Sequence, residues 1–379
     1  MRRLLLTIVT VIGPAGGALA QVSEEWARCV NVSGAYSLDA SIGACTAIID
    51  SGKETRTTLA IAHFNRANKY DSKGDKDLAI VDYSKAIDLN PAEPDAYNNR
   101  GVAYRAKGDI ERAIGDYGRA IDLNPKHAQA YANRGNAHRA RGSYDAAIAD
   151  YSKAIEIDPR SADAHYNRGI AYRAKGDNDR AIDDYGKAIE LDPRHAQAFS
   201  NRGYAYRSKS QYDQAIADLT KSLEIDPRDA EAYNSRGFAY RRKGQPDQAI
   251  ADLTKALEID PKLVNAYSNR GAAYEDKKDY ERAISDYGRA IEIDPGDADY
   301  YNGRAWAFYK AGKAREGLAD AEKSLRLRPN DANSLDTRGH ILEALGRREE
   351  AIADFRGALA KDPSIKDSMA ALKRLGASP

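Results

Sequence analysis

Two side-chain types that could bind a polypeptide recur along the chain at a constant step of 34 residues. Arginine recurs in five successive copies, and its guanidinium group forms forked hydrogen bonds with carboxylates. Asparagine recurs in a second column, and its carboxamide can both donate to and accept from the main chain of an extended peptide. The arginines are Arg105, Arg139, Arg173, Arg207 and Arg241, and the asparagines are Asn65, Asn99, Asn133, Asn167, Asn201 and Asn269. Together the two columns predict that the ligand is an acidic or C-terminal peptide segment.

Each column also has an interpretation that involves no ligand. An asparagine in this place can join a structural hydrogen bond between neighbouring helices. The arginine row can be neutralised by Asp95, Asp163 and Glu231, which fall on the same predicted helices. Both interpretations stay open on the sequence alone.

The elements that carry these columns follow from a strict internal repeat. Within residues 128–161, small and apolar residues recur at steps of 3 and 4, which predicts two helices. Gly142 suits the left-handed end of the first helix, Ser143 suits the N-cap of the second, and Pro159 ends the second. One helix pair cannot bury its apolar faces alone, so the pairs must stack. The period is marked by Pro91, Pro125, Pro159, Pro193, Pro227, Pro261, Pro295, Pro329 and Pro363.

A further arginine column and an aspartate column are complete. Arg134 lies on the first predicted helix of its pair and Asp150 on the second, 16 residues later. Because the two helices are antiparallel and joined by a short turn, we expect an ion pair inside every helix pair. This column predicts a structural role in the stack.

The repeat resembles the tetratricopeptide repeat family. The residues that carry the resemblance are Tyr131, Gly135, Ala147, Tyr151, Ala154 and Pro159, and it extends over nine units in residues 58–363. The first unit departs with His63 in the tyrosine column, and the eighth departs with Ala305 and Ala321.

The resemblance implies an all-α solenoid, a right-handed superhelix of nine 34-residue helix-turn-helix repeats whose first helices line a concave groove. The asparagine and arginine columns would then face that groove. The family is a general scaffold for protein interactions and does not specify a partner. Its carboxylate clamp for chaperone tails is incomplete here, because Phe64, Gln129 and Asn133 stand where basic residues are required.

The column that begins at Asn68 becomes aromatic further along the chain, at Tyr204, Phe238 and Trp306. Aromatic side chains on a scaffold often anchor a partner, and they are also common packing residues. Both interpretations stay open.

Residues 1–20 are predicted to form a secretory signal peptide. Arg2 and Arg3 precede a short apolar run, and Ala18 and Ala20 have the small-x-small form of a cleavage site. An uncleaved anchor is the alternative, although the run is shorter than the roughly 20 apolar residues that a membrane span needs. We expect an exported protein, periplasmic or secreted, with no membrane span.

The chain has two cysteines, Cys29 and Cys45, and both precede the repeats. In an oxidising compartment such a pair usually forms a disulfide; two unpaired thiols are the alternative. We therefore expect residues 21–57 to form a disulfide-stapled helical cap. At the other end, residues 364–379 are expected to hold a capping helix and tail, with an apolar stripe of Ile365, Met369, Leu372 and Leu375.

Composition narrows the class of function. Lys and Arg total 58 against 57 for Asp and Glu, so a basic nucleic-acid-binding surface is not expected. The six histidines are scattered, and no phosphate loop, metal motif or nucleophile elbow appears. We expect no enzymatic activity, cofactor, metal site or small-molecule substrate. The favoured function is a protein-interaction scaffold; the alternatives are a structural component of a cell-envelope assembly and a regulatory module for a separate enzyme.

Overall fold

The computed structural model describes residues 23–378, so the predicted signal peptide lies outside the described residues. These residues form helices and connecting turns and contain no strand. The chain divides into two compact units, Met1–Leu191 and Asp192–Pro379, which are described separately.

The first unit holds a two-helix cap followed by four antiparallel helix pairs. The cap consists of α1 (Glu24–Val30) and α2 (Leu38–Asp50). The pairs are α3 (Arg56–Lys73) with α4 (Lys76–Leu89), α5 (Pro94–Ala106) with α6 (Ile110–Leu123), α7 (Ala128–Ala140) with α8 (Tyr144–Ile157), and α9 (Ala162–Ala174) with α10 (Asn178–Leu191).

The second unit holds five more pairs and a final short helix. The pairs are α11 (Ala196–Ser208) with α12 (Tyr212–Ile225), α13 (Ala230–Arg242) with α14 (Pro246–Ile259), α15 (Val264–Asp276) with α16 (Tyr280–Ile293), α17 (Ala298–Lys310) with α18 (Ala314–Leu327), and α19 (Ala332–Ala344) with α20 (Arg348–Lys361). The final helix is α21 (Lys366–Arg374). Within each unit every helix packs against the next, so the predicted helical repeat architecture is confirmed.

The helices of one pair approach closely because small residues face a large ring. Gly135 of α7 lies against the fully buried Tyr151 of α8, and a Cβ atom at this glycine would lie 2.8 Å from the Tyr151 ring. Ala147 is also fully buried at this contact. Gly142 ends the first helix with φ of 80°, as expected, whereas the Ser143 side chain makes no capping hydrogen bond to α8.

The predicted arginine–aspartate pair is present in all nine helix pairs. Arg134 donates from Nε and Nη2 to the two carboxylate oxygens of Asp150, at 2.9 and 2.8 Å. Asp150 is buried and Arg134 is partly buried, so the pair lies largely out of water.

Several of these arginines also tie one helix pair to the preceding one, which the sequence analysis did not predict. Arg100 donates from Nη1 to Ser84 Oγ of the preceding second helix at 3.0 Å, and Arg168 does the same to Ser152. The arginine column therefore stabilises both the helix pair and the stack.

The N-terminal cap is closed by a disulfide between Cys29 and Cys45, both fully buried. Helix α2 packs on α3, and Arg66 of α3 donates to Thr46 Oγ1 at 2.9 Å. The cap thus covers the first helix pair with both apolar and polar contacts.

Removal of the disulfide is expected to loosen this cap and to leave the distant repeats unchanged. In the chain-entropy model, a disulfide that closes a loop of 15 residues stabilises the folded state by about 3 kcal/mol. The effect should stay local because each repeat contacts mainly its neighbours. Hydrogen exchange of a Cys29→Ser, Cys45→Ser variant should show faster exchange in α1 and α2, with α12 as the internal control. Unchanged protection in α1 and α2 would contradict the expected role.

The C-terminal helix covers the last pair, packing on α19 and α20, with Leu372 fully buried. One part of the predicted apolar stripe is wrong, because Met369 is 48% exposed. The other three residues of the stripe pack as expected, because Leu372 is buried and Ile365 and Leu375 pack against the same cluster. Ser368 instead makes a buried hydrogen bond to Asp336 of α19.

Candidate functional site

In the first unit, the asparagine and arginine columns lie on three neighbouring first helices, α5, α7 and α9. We name this region the amide–guanidinium face and define it by two rows of side chains. On each helix the asparagine precedes the arginine by six residues, so the rows lie about 9 Å apart along the helices and on different parts of them. The rows are Asn99, Asn133 and Asn167, and Arg105, Arg139 and Arg173.

The arginines of this face lie in the last turn of their helices. Arg105 and Arg173 are exposed, whereas Arg139 is half-buried and its Nε has no hydrogen-bond partner among the described residues. No carboxylate in residues 23–378 lies within 4.0 Å of any of the three guanidinium groups. Cations in the last helical turn interact favourably with the helix dipole, but this is worth only about 0.3–1 kcal/mol and supplies no carboxylate partner. The buried hydroxyls of Tyr117, Tyr151 and Tyr185 lie near Arg105, Arg139 and Arg173, respectively.

The acids that could neutralise this row lie too far along the helices. Asp95 precedes Arg105 by ten residues on α5, which corresponds to about 15 Å at 1.5 Å per residue. Its carboxylate instead contacts His127 Nε2 at 3.0 Å. Asp163 has the same separation from Arg173 on α9. In the first unit, therefore, Asp95 and Asp163 do not pair with the arginine row, and this alternative interpretation of the sequence is wrong there.

The arginines of the second unit have partners. Arg241 Nε donates to Asp276 Oδ2 at 2.8 Å. Arg207 donates to Ser235 Oγ at 3.2 Å and lies over the Phe238 ring, 5.4 Å from its centroid. The third acid considered in the sequence, Glu231, accepts a hydrogen bond from Asn234 and pairs with neither arginine.

Three members of the asparagine column join neighbouring first helices. Asn133 is buried and donates to Asn98 Oδ1 at 2.9 Å, and Asn269 donates in the same way to Asn234 at 2.9 Å. Asn99 donates to Asn68 Oδ1 at 3.1 Å. These contacts match the structural interpretation of the column. Two of these contacts could have been predicted from the sequence. In both, the accepting asparagine, Asn98 or Asn234, lies 35 residues before the donor.

The other three asparagines bond within their own helices. Asn65, Asn167 and Asn201 each donate to the carbonyl four residues earlier, at 2.8–3.0 Å. Asn167 lies at the surface of the amide–guanidinium face, and its Oδ1 has no partner among the described side chains and main chain. It is the asparagine of this face with an oxygen available to accept from a ligand.

A buried tyrosine row lies beneath the face and alternates in its bonding. Tyr151 OH donates to Asn136 Oδ1 at 2.8 Å, whereas the hydroxyls of Tyr117 and Tyr185 have no hydrogen-bond partner in the described part of the chain. Burial raises the pKa of Tyr117 to about 12, and the nearby Arg105 partly opposes this shift. The alternation follows the sequence, because apolar Val102 and Ile170 replace the accepting asparagine.

The aromatic side chains of the second unit make extensive internal contacts. Tyr204 packs on the buried cluster that contains Leu219. Trp306 contacts the rings of Tyr309 and His340, at centroid distances of 5.3 and 5.7 Å. These contacts are those of packing residues, and Phe238 is engaged by Arg207 as described above.

Glu275 replaces arginine in the same column of the second unit, and its side chain is partly buried. Its Oε1 is buried without a hydrogen-bond partner among the described residues. Burial raises the pKa of this carboxyl from 4.5 to about 7, although Tyr287 and Arg241 oppose the shift.

No group of three or more His, Cys, Asp or Glu side chains in residues 23–378 could hold a metal ion. None of the described helices is long and apolar enough to cross a membrane.

Tandem helix pairs that each pack on the next place the chain in the class of helical repeat proteins. Profiles of one family match nearly all of the stack. A profile described as "TPR repeat" matches residues 67–105, 135–176 and 203–244. Profiles described as "Tetratricopeptide repeat" match residues 94–127, 162–195, 230–263 and 264–297, residues 117–149 and 185–217, and residues 302–366. The chain belongs to the tetratricopeptide repeat family, which supports a role as a protein-interaction scaffold and indicates no catalytic family.

Several solved structures are similar to this chain. The Cut9–Hcn1 hetero-tetramer of APC/C shares 15% identity over 93% of this chain and 96% of that chain, with a TM-score of 0.52. PilW, a type IV pilus biogenesis factor, shares 22% identity over 56% and 98%, with a TM-score of 0.50. YrrB, described as a TPR protein with an unusual peptide-binding site, shares 28% identity over 47% and 92%, with a TM-score of 0.43. The first two similarities concern the fold alone. No curated protein sequence matches the chain.

Proposed function

We propose that the protein is a scaffold that binds an acidic polypeptide segment on the amide–guanidinium face. The main support for this proposal is the contrast between the two arginine columns. Every arginine of the structural column is paired with aspartate, whereas Arg105, Arg139 and Arg173 have no described carboxylate within 4.0 Å. Unpaired guanidinium groups in a row favour ligands that bring carboxylates.

Asparagine contributes to this proposal less than the sequence suggests. Asn167 supports a main-chain contact because its Oδ1 is unpartnered, whereas Asn133 is committed to Asn98. The arginines therefore supply the affinity in this proposal, and the amides mainly hold α5 and α7 together.

The proposed setting is an oxidising compartment outside the cytoplasm. The Cys29–Cys45 disulfide supports such an environment, since disulfides persist where thiols are not kept reduced. The predicted signal peptide agrees with export. Periplasmic and secreted locations are equally compatible with this inference.

Charge reversal tests the proposed site. The Arg139→Glu, Arg173→Glu variant should bind an alternating Glu-Gly dodecapeptide at least about 100-fold more weakly, because each charge-assisted hydrogen bond is worth about 1.5–3 kcal/mol. Fluorescence anisotropy with a labelled peptide measures the affinity. The matched control is Lys85→Glu, Arg119→Glu, which changes the same charge at exposed positions of second helices. Equal affinities for the two variants would contradict the proposed site.

A second candidate function, structural assembly through the second helices, is favoured by one observation. Leu78 and Val81 of α4 are 49% and 57% exposed, whereas Arg112 and Gly115 occupy the equivalent places in α6. A Leu78→Lys, Val81→Lys variant should then impair assembly and leave acidic-peptide affinity unchanged.

A further inference from the structure

The spacing of the three unpaired arginines carries information about the ligand. Their helices are direct neighbours, since α5 contacts α7 and α7 contacts α9. Packed helices lie about 8–10 Å apart. Because Arg105, Arg139 and Arg173 occupy equivalent places in the repeat, the helix positions that carry them are offset by about this distance.

A peptide must bring carboxylates at the same interval and on one side. In a polyproline II helix, three residues make one turn and advance about 9 Å, so residues i, i+3 and i+6 share a face. In a β-strand three residues advance about 10 Å, but residues i and i+3 point to opposite faces. The polyproline II conformation therefore fits the arginine row, whereas an extended strand does not.

An α-helical ligand fits the interval less well. Its residues i and i+7 share a face but are about 10.5 Å apart, beyond the 8–10 Å between packed helices, and residues i and i+4 are only about 6 Å apart. A polyproline II helix repeats its face about every 9 Å, within the range of the helix spacing. The interval therefore favours the polyproline II ligand.

The geometry points to a ligand in the polyproline II conformation with an acidic residue at every third position, each carboxylate paired with one of Arg105, Arg139 and Arg173. This inference rests on the proposed function and specifies the register of its ligand. Each contact is a charge-assisted fork, for which arginine is better suited than lysine.

Two labelled nonapeptides of equal composition test the register. One is (Glu-Pro-Pro)3, with glutamate at positions 1, 4 and 7; the other has glutamate at positions 1, 3 and 5 and proline elsewhere. Anisotropy titrations of the full chain should give at least about tenfold tighter binding of the first, corresponding to the loss of one charge-assisted contact in the second. Arg139→Gln should remove most of that preference, and Arg119→Gln, at an exposed place on α6, should preserve it.

The outcomes separate the inference from the proposed function. Equal affinity for the two peptides, both weakened by Arg139→Glu and Arg173→Glu, would overturn the register and leave the acidic-peptide site standing. Binding of neither nonapeptide nor the Glu-Gly dodecapeptide would overturn both. Tighter binding of a helical peptide with glutamate at every seventh position, or of a single-stranded oligonucleotide, would overturn the polyproline II assignment.

Discussion

Replacing Arg134 with Met is expected to destabilise the α7–α8 pair by about 3 kcal/mol. The substitution leaves the Asp150 carboxylate, which is buried, without the partner that bonds both its oxygens. Removing one partner of a buried pair costs about 3–5 kcal/mol, and the lower end applies because the Arg134 side chain is 25% exposed. Urea unfolding measures this loss of stability when it is fitted with a model that sums the intrinsic stability of each repeat and the interface energy between neighbouring repeats.

A double-mutant cycle separates this effect from the loss of packing. Asp150→Asn should lower the free energy of unfolding much less in the Arg134→Met background than in the wild type. The reason is that the double variant leaves no buried charge without a partner. The control is the exposed pair of Lys153 and Glu156 on α8, for which a cycle should give about 0–1 kcal/mol. A coupling energy near zero between Arg134 and Asp150 would mean that the pair is not a structural element of the stack.

Glu275→Gln is expected to stabilise the protein at pH 8 by about 3 kcal/mol and to have little effect at pH 4. Because the pKa of the folded state is raised from 4.5 to about 7, the folded state binds the proton more tightly than the unfolded state. The stability that protonated Glu275 contributes is full below pH 4.5 and is lost as the pH rises to about 7. A pKa difference of this size corresponds to about 3 kcal/mol.

Unfolding free energies of the wild type and of Glu275→Gln, measured between pH 4 and pH 8, give the difference directly. Glu258→Gln on α14 removes an exposed carboxylate of the same unit and serves as the control. Its stability relative to the wild type should change little across this range. If the gain from Glu275→Gln were independent of pH, ionisation of this carboxyl would not be its cause.

The architecture and its ion pairs could be predicted because they depend on local and strictly periodic patterns. Steps of 3 and 4 around Ala147 and Tyr151 specify a helix face, and the 34-residue period repeats that specification. Arg134 and Asp150 lie on adjacent antiparallel helices, so a separation of 16 residues was enough to predict their contact. Met369 was placed wrongly because the pattern of a short terminal helix does not reveal where its neighbours end.

The asparagine column shows why the polar surface could not be predicted equally well. Asn133 and Asn167 have the same residue type and the same place in the repeat, yet Asn133 bonds to Asn98 and Asn167 bonds to its own helix. The difference arises from the preceding first helix, where Asn98 offers an acceptor and Ala132, its equivalent one repeat later, does not. A column of identical residues therefore does not have one function.

The order of residues was sufficient for the helix pairs, their stacking and the buried arginine–aspartate pairs, because each follows from periodicity and from the cost of leaving apolar faces or charges unpartnered. Which of the remaining polar groups stay available for a ligand was settled by packing between successive repeats. A hydrogen bond or an ion pair forms only when both partners are within about 3–4 Å, and that distance depends on side chains contributed by the neighbouring helices. Arg105, Arg139 and Arg173 stand out for this reason, since their own helices place the nearest candidate acids about 15 Å away.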